Sequence, residues 1–180
     1  MAGLTGAVLY VVHHIPVKTA LFLVGGLVED STGTGQLHRL GGLVRRAPIF
    51  AMLFAIPALS LAGMPPFSGF LAKLSVVQAG LAAEQWAVVA ASLVASLLTI
   101  FSMSKIWAGV FWGDPDDPPP ALADPEGPNL SPPRLMVWST AAMVAVTLVV
   151  PIFGMAVFDL SERAAVDLLD RSAYVEAVLP

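Results

Sequence analysis

Cysteine is absent from the 180 residues, which excludes disulfides, thiolate catalysis, cysteine-held zinc and iron–sulfur clusters. Charge is scarce as well, at 12% of residues, and the net charge of −4 leaves no basic face for nucleic acid. No Asp or Glu falls within residues 4–28, 48–83, 86–112 or 134–158, the long apolar stretches. A sodium or calcium site built from acidic oxygens is therefore not visible, and neither a metal nor a cofactor is expected. The first residues also lack the basic segment that precedes the apolar run of a secretory signal. What remains is apolar: 57% of residues, with a mean hydropathy of +0.79. Such a composition belongs to polytopic membrane proteins and not to soluble domains or binding modules.

The few charges are unevenly placed. All three lysines, Lys18, Lys73 and Lys105, lie inside apolar stretches, whereas the six arginines lie in polar connections or near the C-terminus. An ammonium near the bilayer centre costs roughly 2.5–3.5 kcal/mol on the insertion scale, so intramembrane lysines are functional candidates by default.

The predicted fold is all-α, with about four transmembrane helices and an amphipathic C-terminal helix. At ~1.5 Å per residue the stretch 4–28 is long enough for a ~30 Å hydrocarbon core. The second span, 48–83, starts at Pro48 and is too long to be uninterrupted. Gly63, Pro65, Pro66 and Gly69 break it in the middle. Broken helices at membrane depth are tolerated where they are buried in protein or line a wet cavity, and they recur at transporter ion sites. The third span, 86–112, has tryptophan at both ends, as interfacial positions favour. These three spans form a segment over 1–113, followed by an extended Pro- and acid-rich linker at 114–133. A fourth helix is expected at 134–158, kinked at Pro151, then an amphipathic tail over 159–180. In the tail Leu160, Ala164, Leu168 and Val175 can share one side and lie along the surface or a partner.

Arg39, Arg45, Arg46 and Arg134 flank one side of the spans, Arg163 and Arg171 the other. The positive-inside rule then places 29–47 and 113–133 in the cytoplasm and both termini outside.

In the first span His14 and Lys18 are four residues apart on one face, with His13 about 100° round the helix. They can exchange a proton, or His14 can bond a backbone carbonyl while Lys18 snorkels to the surface. Lys73 follows the Pro65-Pro66 break by two turns, so loosened carbonyls, room for water and a titratable base coincide. Lys105 is close enough to the end of its span that snorkelling and function are equal alternatives. Thr99, Ser102 and Ser104 fit either a hydrated or a packed helix face.

Three runs resemble a known family: His13-His14-Ile15-Pro16-Val17-Lys18 with Gly25-Gly26, the loop Arg39-Leu40-Gly41-Gly42-Leu43, and residues 57–73 around Gly63-Met64-Pro65-Pro66-Phe67-Ser68-Gly69 with Lys73. They are similar to the antiporter-like subunits shared by Mrp-type cation/proton antiporters and the proton-pumping arm of respiratory complex I. Ser96-Leu97-Leu98-Thr99, Lys105-Ile106-Trp107 and Phe111-Trp112-Gly113 look most like the D-type branch of the Mrp-type Na+/H+ antiporter subunits. The resemblance covers about residues 6–113 and leaves the linker and tail without a signature. It implies the C-terminal third of a roughly fourteen-helix protein, helices eleven to fourteen, in the bacterial plasma membrane. It also implies a transporter component and not an enzyme. Lys73 would be the terminal proton site of the second half channel, Lys18 its relay neighbour and His14 the link between helices. The partners implied are other membrane subunits of the complex, the lipid bilayer, protons and a monovalent cation. The glutamate and lysine that the family places in the first half channel have no counterpart here. Alternatives are a complex I proton-pumping subunit or a truncated, non-transporting scaffold, and the chain is expected to be a fragment, a split product or a shortened paralogue.

Overall fold

The computed structural model describes residues 1–124 and 130–170 together with Ser172, Val175 and Val178. Among these residues the chain is all-helical. Part of the expected linker, 125–129, and most of the far tail, including Arg171 and Glu176, lie outside them.

Helix α1 spans Ala2–Thr32 and takes Pro16 into its interior without ending. It stops at Gly33, whose φ of 77° is left-handed and whose N–H bonds the Glu29 carbonyl at 2.8 Å. After a single 3-10 turn and the four-residue α2 (Leu43–Arg46), helix α3 (Pro48–Ala62) opens on proline, whose missing N–H is no loss in a first turn. It ends at Gly63, again left-handed with φ 86°. Residues 64–67 are non-helical, and α4 resumes at Ser68–Ala82. The long second apolar stretch is thus two short helices in series around the expected break. Helix α5 (Trp86–Ile106) runs into a six-residue π-helical turn, Trp107–Trp112.

Three helical segments, Ala2–Thr32, Trp86–Trp112 and Arg134–Ile152, are long and apolar enough to cross a membrane, and α3 and α4 are shorter apolar helices. This is the make-up of a polytopic membrane protein, with the α3–break–α4 unit as two shorter apolar helices in series.

Helix α1 is the hub, packing against α3, α4, α6 and α7, while α5 leans on α3 and α4 from outside. On α5 only Val89 is buried, and Leu93, Leu97 and Phe101 face outward. Apolar side chains on an outward face are the normal state of a membrane helix. The tightest packing lies toward the arginine-rich connections. There Val24, Leu27, Leu43 and Phe50 join Val110, Phe111 and Leu122. Phe111 stacks between Phe54 and Trp107, at ring separations of 5.1 and 4.8 Å.

The linker, expected as an extended extramembrane segment, is held against the chain. Its described part folds back on the first connection, with Leu122 buried, the Arg46 guanidinium donating to the carbonyls of Ala121 (2.9 Å) and Asp124, and the Leu130 N–H donating to Arg46 O at 3.1 Å. Arg39 reaches Asp117 Oδ2 at 3.2 Å from the same side. The prolines prevent a regular helix but leave carbonyls unbonded, and arginine takes them up.

The fourth helix also ends early. Helix α6 (Arg134–Ile152) stops one residue past Pro151, and α7 (Gly154–Leu169) starts within the stretch assigned to the fourth span. Helix α7 packs along α1 and buries the small residues Ser161 and Ala165, whereas Leu160 and Leu168 point outward. Small residues let backbones approach in a membrane, where apolar bulk gains nothing from leaving lipid. The expected apolar stripe is therefore not the face that docks.

Candidate functional site

The break between α3 and α4 places a half-buried lysine near a buried hydrogen-bonded chain. At the end of α3 the last carbonyls have no intrahelical partner and carry the negative end of the helix dipole. Lys73, one turn and a half into α4, turns back so that its Nζ donates to Ala62 O at 3.0 Å. Its stem passes over Gly63, where an added Cβ would stand 2.8 Å from Lys73 Cδ. Gly63 is thus needed twice, for its left-handed backbone and for the room it leaves to the lysine.

His13 sits on the face of α1 turned toward the start of α4. It is 1% exposed, and its Nδ1 is 2.8 Å from Ser68 Oγ, which in turn is 3.3 Å from Ser60 Oγ at the end of α3. Ser60, Ser68 and His13 form one hydrogen-bonded chain across three helices. Either tautomer of His13 fits, since a serine hydroxyl both donates and accepts. The chain closes because Gly69 has no side chain: a Cβ there would collide with Ser60 O and lie 2.9 Å from His13 Cε1.

Two cavities lie about the break, one beside Lys73 and one beside His13 and Ser68. One of about 360 Å³, between α1, α4 and α5, is lined by Tyr10, Lys73, Ser92, Ser96 and Thr99 among others. The Ser96 and Thr99 hydroxyls donate to carbonyls one turn back, at 2.9 and 2.8 Å, and keep lone pairs for the cavity. The other, of about 260 Å³, lies where α1 and α4 meet the α6–α7 junction, with His13, Ser68 and Ser75 in its wall.

The remaining candidates are placed differently. His14 is half-buried and stacks on Tyr10 at 5.3 Å, within electrostatic reach of Lys18 and Lys73. Lys18 is exposed on α1 and meets neither cavity. The residue that bonds α1 to the broken helix is His13, where the spacing pointed to His14 as the link. Helical periodicity gives the angle between the two histidines but not which direction faces α4. Lys105 is exposed and lines neither cavity. Thr99 shares a cavity with Lys73, whereas Ser104 lines a separate groove against Phe54 and Trp107. Ser60, Ser68, Ser92, Ser96 and Tyr10 carry no signal that sequence reasoning could have isolated, except that Ser68 stands at the restart of the broken helix. Among the described residues no cluster of His, Asp or Glu is grouped as metal ligands would be.

The family described as NADH:quinone oxidoreductase/Mrp antiporter, transmembrane, matches residues 1–99. The chain belongs to this family. Among its relatives, the D-type subunit of the Na(+)/H(+) antiporter of Alkalihalophilus pseudofirmus is 37% identical over 177 residues, covering 98% of this chain and 34% of that protein. Its counterpart in Bacillus subtilis is 34% identical over 181 residues, covering 99% and 35%. The structure of the Mrp complex from Dietzia sp. DQ12-45-1b superposes with a TM-score of 0.81 at 36% identity, over 98% of this chain and 40% of the matched chain. The likeness extends through linker and tail, well beyond the 6–113 that the motifs marked. The chain spans about a third of the length of the curated relatives it matches. Within the NADH:quinone oxidoreductase/Mrp antiporter family, it is a polytopic membrane segment carrying the broken helix and its lysine.

Proposed function

We propose that this chain forms the part of a Na+/H+ antiporter subunit that carries protons past the broken α3–α4 helix, within a multi-subunit membrane complex of the Mrp type. It acts as a transporter segment and not as an enzyme. One observation carries the reading: Lys73 holds its ammonium on the open end of α3, beside a buried His–Ser–Ser chain and a hydroxyl-lined cavity. A lysine placed this way is held by a dipole and one carbonyl, with no carboxylate among the described residues to pin it. Water in the adjacent cavity is a ready proton acceptor, so the group can load and unload. His14 and Lys18 extend the titratable line along α1. The relatives named as Na(+)/H(+) antiporter subunits favour cation-coupled transport over the complex I role that the same family includes.

The orientation follows the arginines. The connection after α1 and the linker before α6 touch through Arg39, Arg46, Asp117 and Ala121, which supports their lying on one side of the membrane. That side is cytoplasmic on this reading, with both termini outside, in the bacterial plasma membrane.

The deciding experiment neutralises Lys73 as Lys73→Ala in the assembled complex and follows cation-driven proton flux in inverted membrane vesicles with a pH-sensitive dye. Flux should vanish while the protein is still present and assembled. Cation-dependent flux at the wild-type rate would refute the assignment and leave the non-transporting scaffold as the better description.

A further inference from the structure

Two further cavities, of about 410 and 540 Å³, share one lining residue, the exposed Trp112. The smaller lies between the first connection and the start of the linker, and its wall holds the side chains of Arg45, Arg46 and Asp114. Arg46 is committed to the carbonyls of Ala121 and Asp124. Arg45 and Asp114 are exposed and oppositely charged, and among the described residues neither has an ion-pair partner. The larger cavity is an apolar groove. It runs between α3 and the end of α5, along Phe54 to Ala62 on one helix and Trp112 to Ile100 on the other, and reaches Met64 in the break. At ~1.5 Å per residue, Phe54 to Ala62 spans about 12 Å, against about 15 Å for half of a ~30 Å hydrocarbon core. The groove therefore has nearly the depth of one leaflet, from the charged connections to the break. It is also narrow. The Phe54 and Trp107 rings in its wall stack at 6.3 Å, so the two helices leave a crevice for a flexible chain and not a seat for a third helix about 10–12 Å across.

We propose that the two cavities together bind one phospholipid whose headgroup carries both a phosphate and a primary ammonium, phosphatidylethanolamine. Its phosphate meets the Arg45 guanidinium, its ammonium meets the Asp114 carboxylate, and one acyl chain fills the α3–α5 groove. Arginine suits phosphate because its planar fork matches the phosphate oxygens. Trp112, between headgroup and chain, occupies the level of the bilayer that tryptophan favours. Charge selects the headgroup. An anionic phospholipid would satisfy Arg45 but turn its phosphate toward Asp114 with no cation of its own, and a choline headgroup has no N–H to give a carboxylate. The end of the acyl chain packs on Ala62 and Met64, and so closes the lipid side of the α3 terminus whose Ala62 carbonyl holds Lys73. Binding of this lipid is separate from proton transport and does not presuppose it.

Photoactivatable lipids test the site in the assembled complex. Phosphatidylethanolamine and phosphatidylglycerol, each with a diazirine in the middle of one acyl chain, are placed at equal amounts in vesicles holding the complex, and the adducts are mapped by mass spectrometry. Groove positions Ala55, Met103 and Ala108 should carry about fivefold more adducts with the ethanolamine lipid, which is the worth of one ion pair at the membrane surface. Met52 and Phe22, exposed outside the groove, should take both lipids alike. Arg45→Gln should lower groove labelling by both lipids, and Asp114→Asn should remove the preference between them. Both side chains are exposed, so these variants keep the fold, and co-purification of the other subunits checks assembly. Ala108→Trp, which sets bulk in the groove from an exposed position, should suppress groove adducts of either lipid and leave those at Met52 and Phe22 unchanged. Groove labelling by phosphatidylglycerol equal to or above that by phosphatidylethanolamine would overturn the proposal. A groove without adducts would overturn it as well, because protein would then cover that face.

Discussion

Replacing Gly63 by alanine tests the centre of the site in a way that separates two effects. Gly63 has φ 86°, and an L-residue forced into the left-handed region loses about 1–2 kcal/mol. The added Cβ would also stand 2.8 Å from Lys73 Cδ, closer than carbon atoms approach. The lysine stem is flexible and can yield, but yielding draws Nζ off Ala62 O, and a hydrogen bond from a charged donor is worth about 1.5–3 kcal/mol. Gly63→Ala should therefore destabilise by about 2.5–5 kcal/mol in all. In a Lys73→Ala background there is no stem to displace, and the same substitution should cost only the backbone share, about 1–2 kcal/mol. The coupling between the two sites, about 1.5–3 kcal/mol, is what a double-mutant cycle isolates. Unfolding of the purified protein by titration with a denaturing detergent supplies the four stabilities. Proton flux of the single variant supplies the functional side and should fall with the loss of the Nζ–carbonyl contact. Equal costs of Gly63→Ala with and without Lys73 would refute the geometry, because the lysine would then not lie over the glycine.

Ser68→Ala removes the partner of His13 Nδ1 and should cost about 1–3 kcal/mol while slowing proton flux; Ser68→Thr, which keeps the hydroxyl, should restore much of both, and a silent Ser68→Ala would count against the chain. Gly69→Ala should be worse tolerated than Gly25→Ala, since a Cβ at Gly69 meets Ser60 O and His13 whereas one at Gly25 meets nothing, a contrast that protein abundance in the membrane reads out. Lys105→Gln should leave flux near wild type because Lys105 lines neither cavity; a loss comparable with Lys73→Ala would return it to the path. Arg46→Ala should open the linker to protease, by loss of its bonds to Ala121 and Asp124, whereas Arg39→Ala, half of an exposed ion pair, should change stability by no more than about 1 kcal/mol.

Much of the architecture is legible without coordinates. Apolar length at a fixed rise per residue sets where a chain can cross lipid, and proline with glycine sets where a helix must open, so the break at 64–67 and the lysine beyond it follow from local chemistry, although Gly69, expected within the break, already lies in α4. The same local chemistry misleads at the end of the fourth helix. Pro151 reads as a kink inside one span, yet α6 stops beside it and α7 begins at Gly154, because α7 gains its own docking surface on α1. In the tail Leu160 and Leu168 define an apolar stripe by spacing that stays outward, open to a surface or a partner, while the small residues Ser161 and Ala165 take the side turned to α1. Composition marks the linker as extended, and it is two arginine side chains from the other connection that hold its carbonyls.

Sequence by itself determined the class of molecule, the broken helix, the candidate lysines and the family, because each depends on composition or on residues close along the chain. Only the tertiary structure decided that His13 and not His14 reaches the broken helix, that Ser60 and Ser68 carry the link, and that Lys73 rests on Ala62 O while Lys105 stands apart. Those are facts about which face of one helix meets which turn of another. Such facts are fixed by packing between residues up to 55 positions apart, which no local pattern encodes.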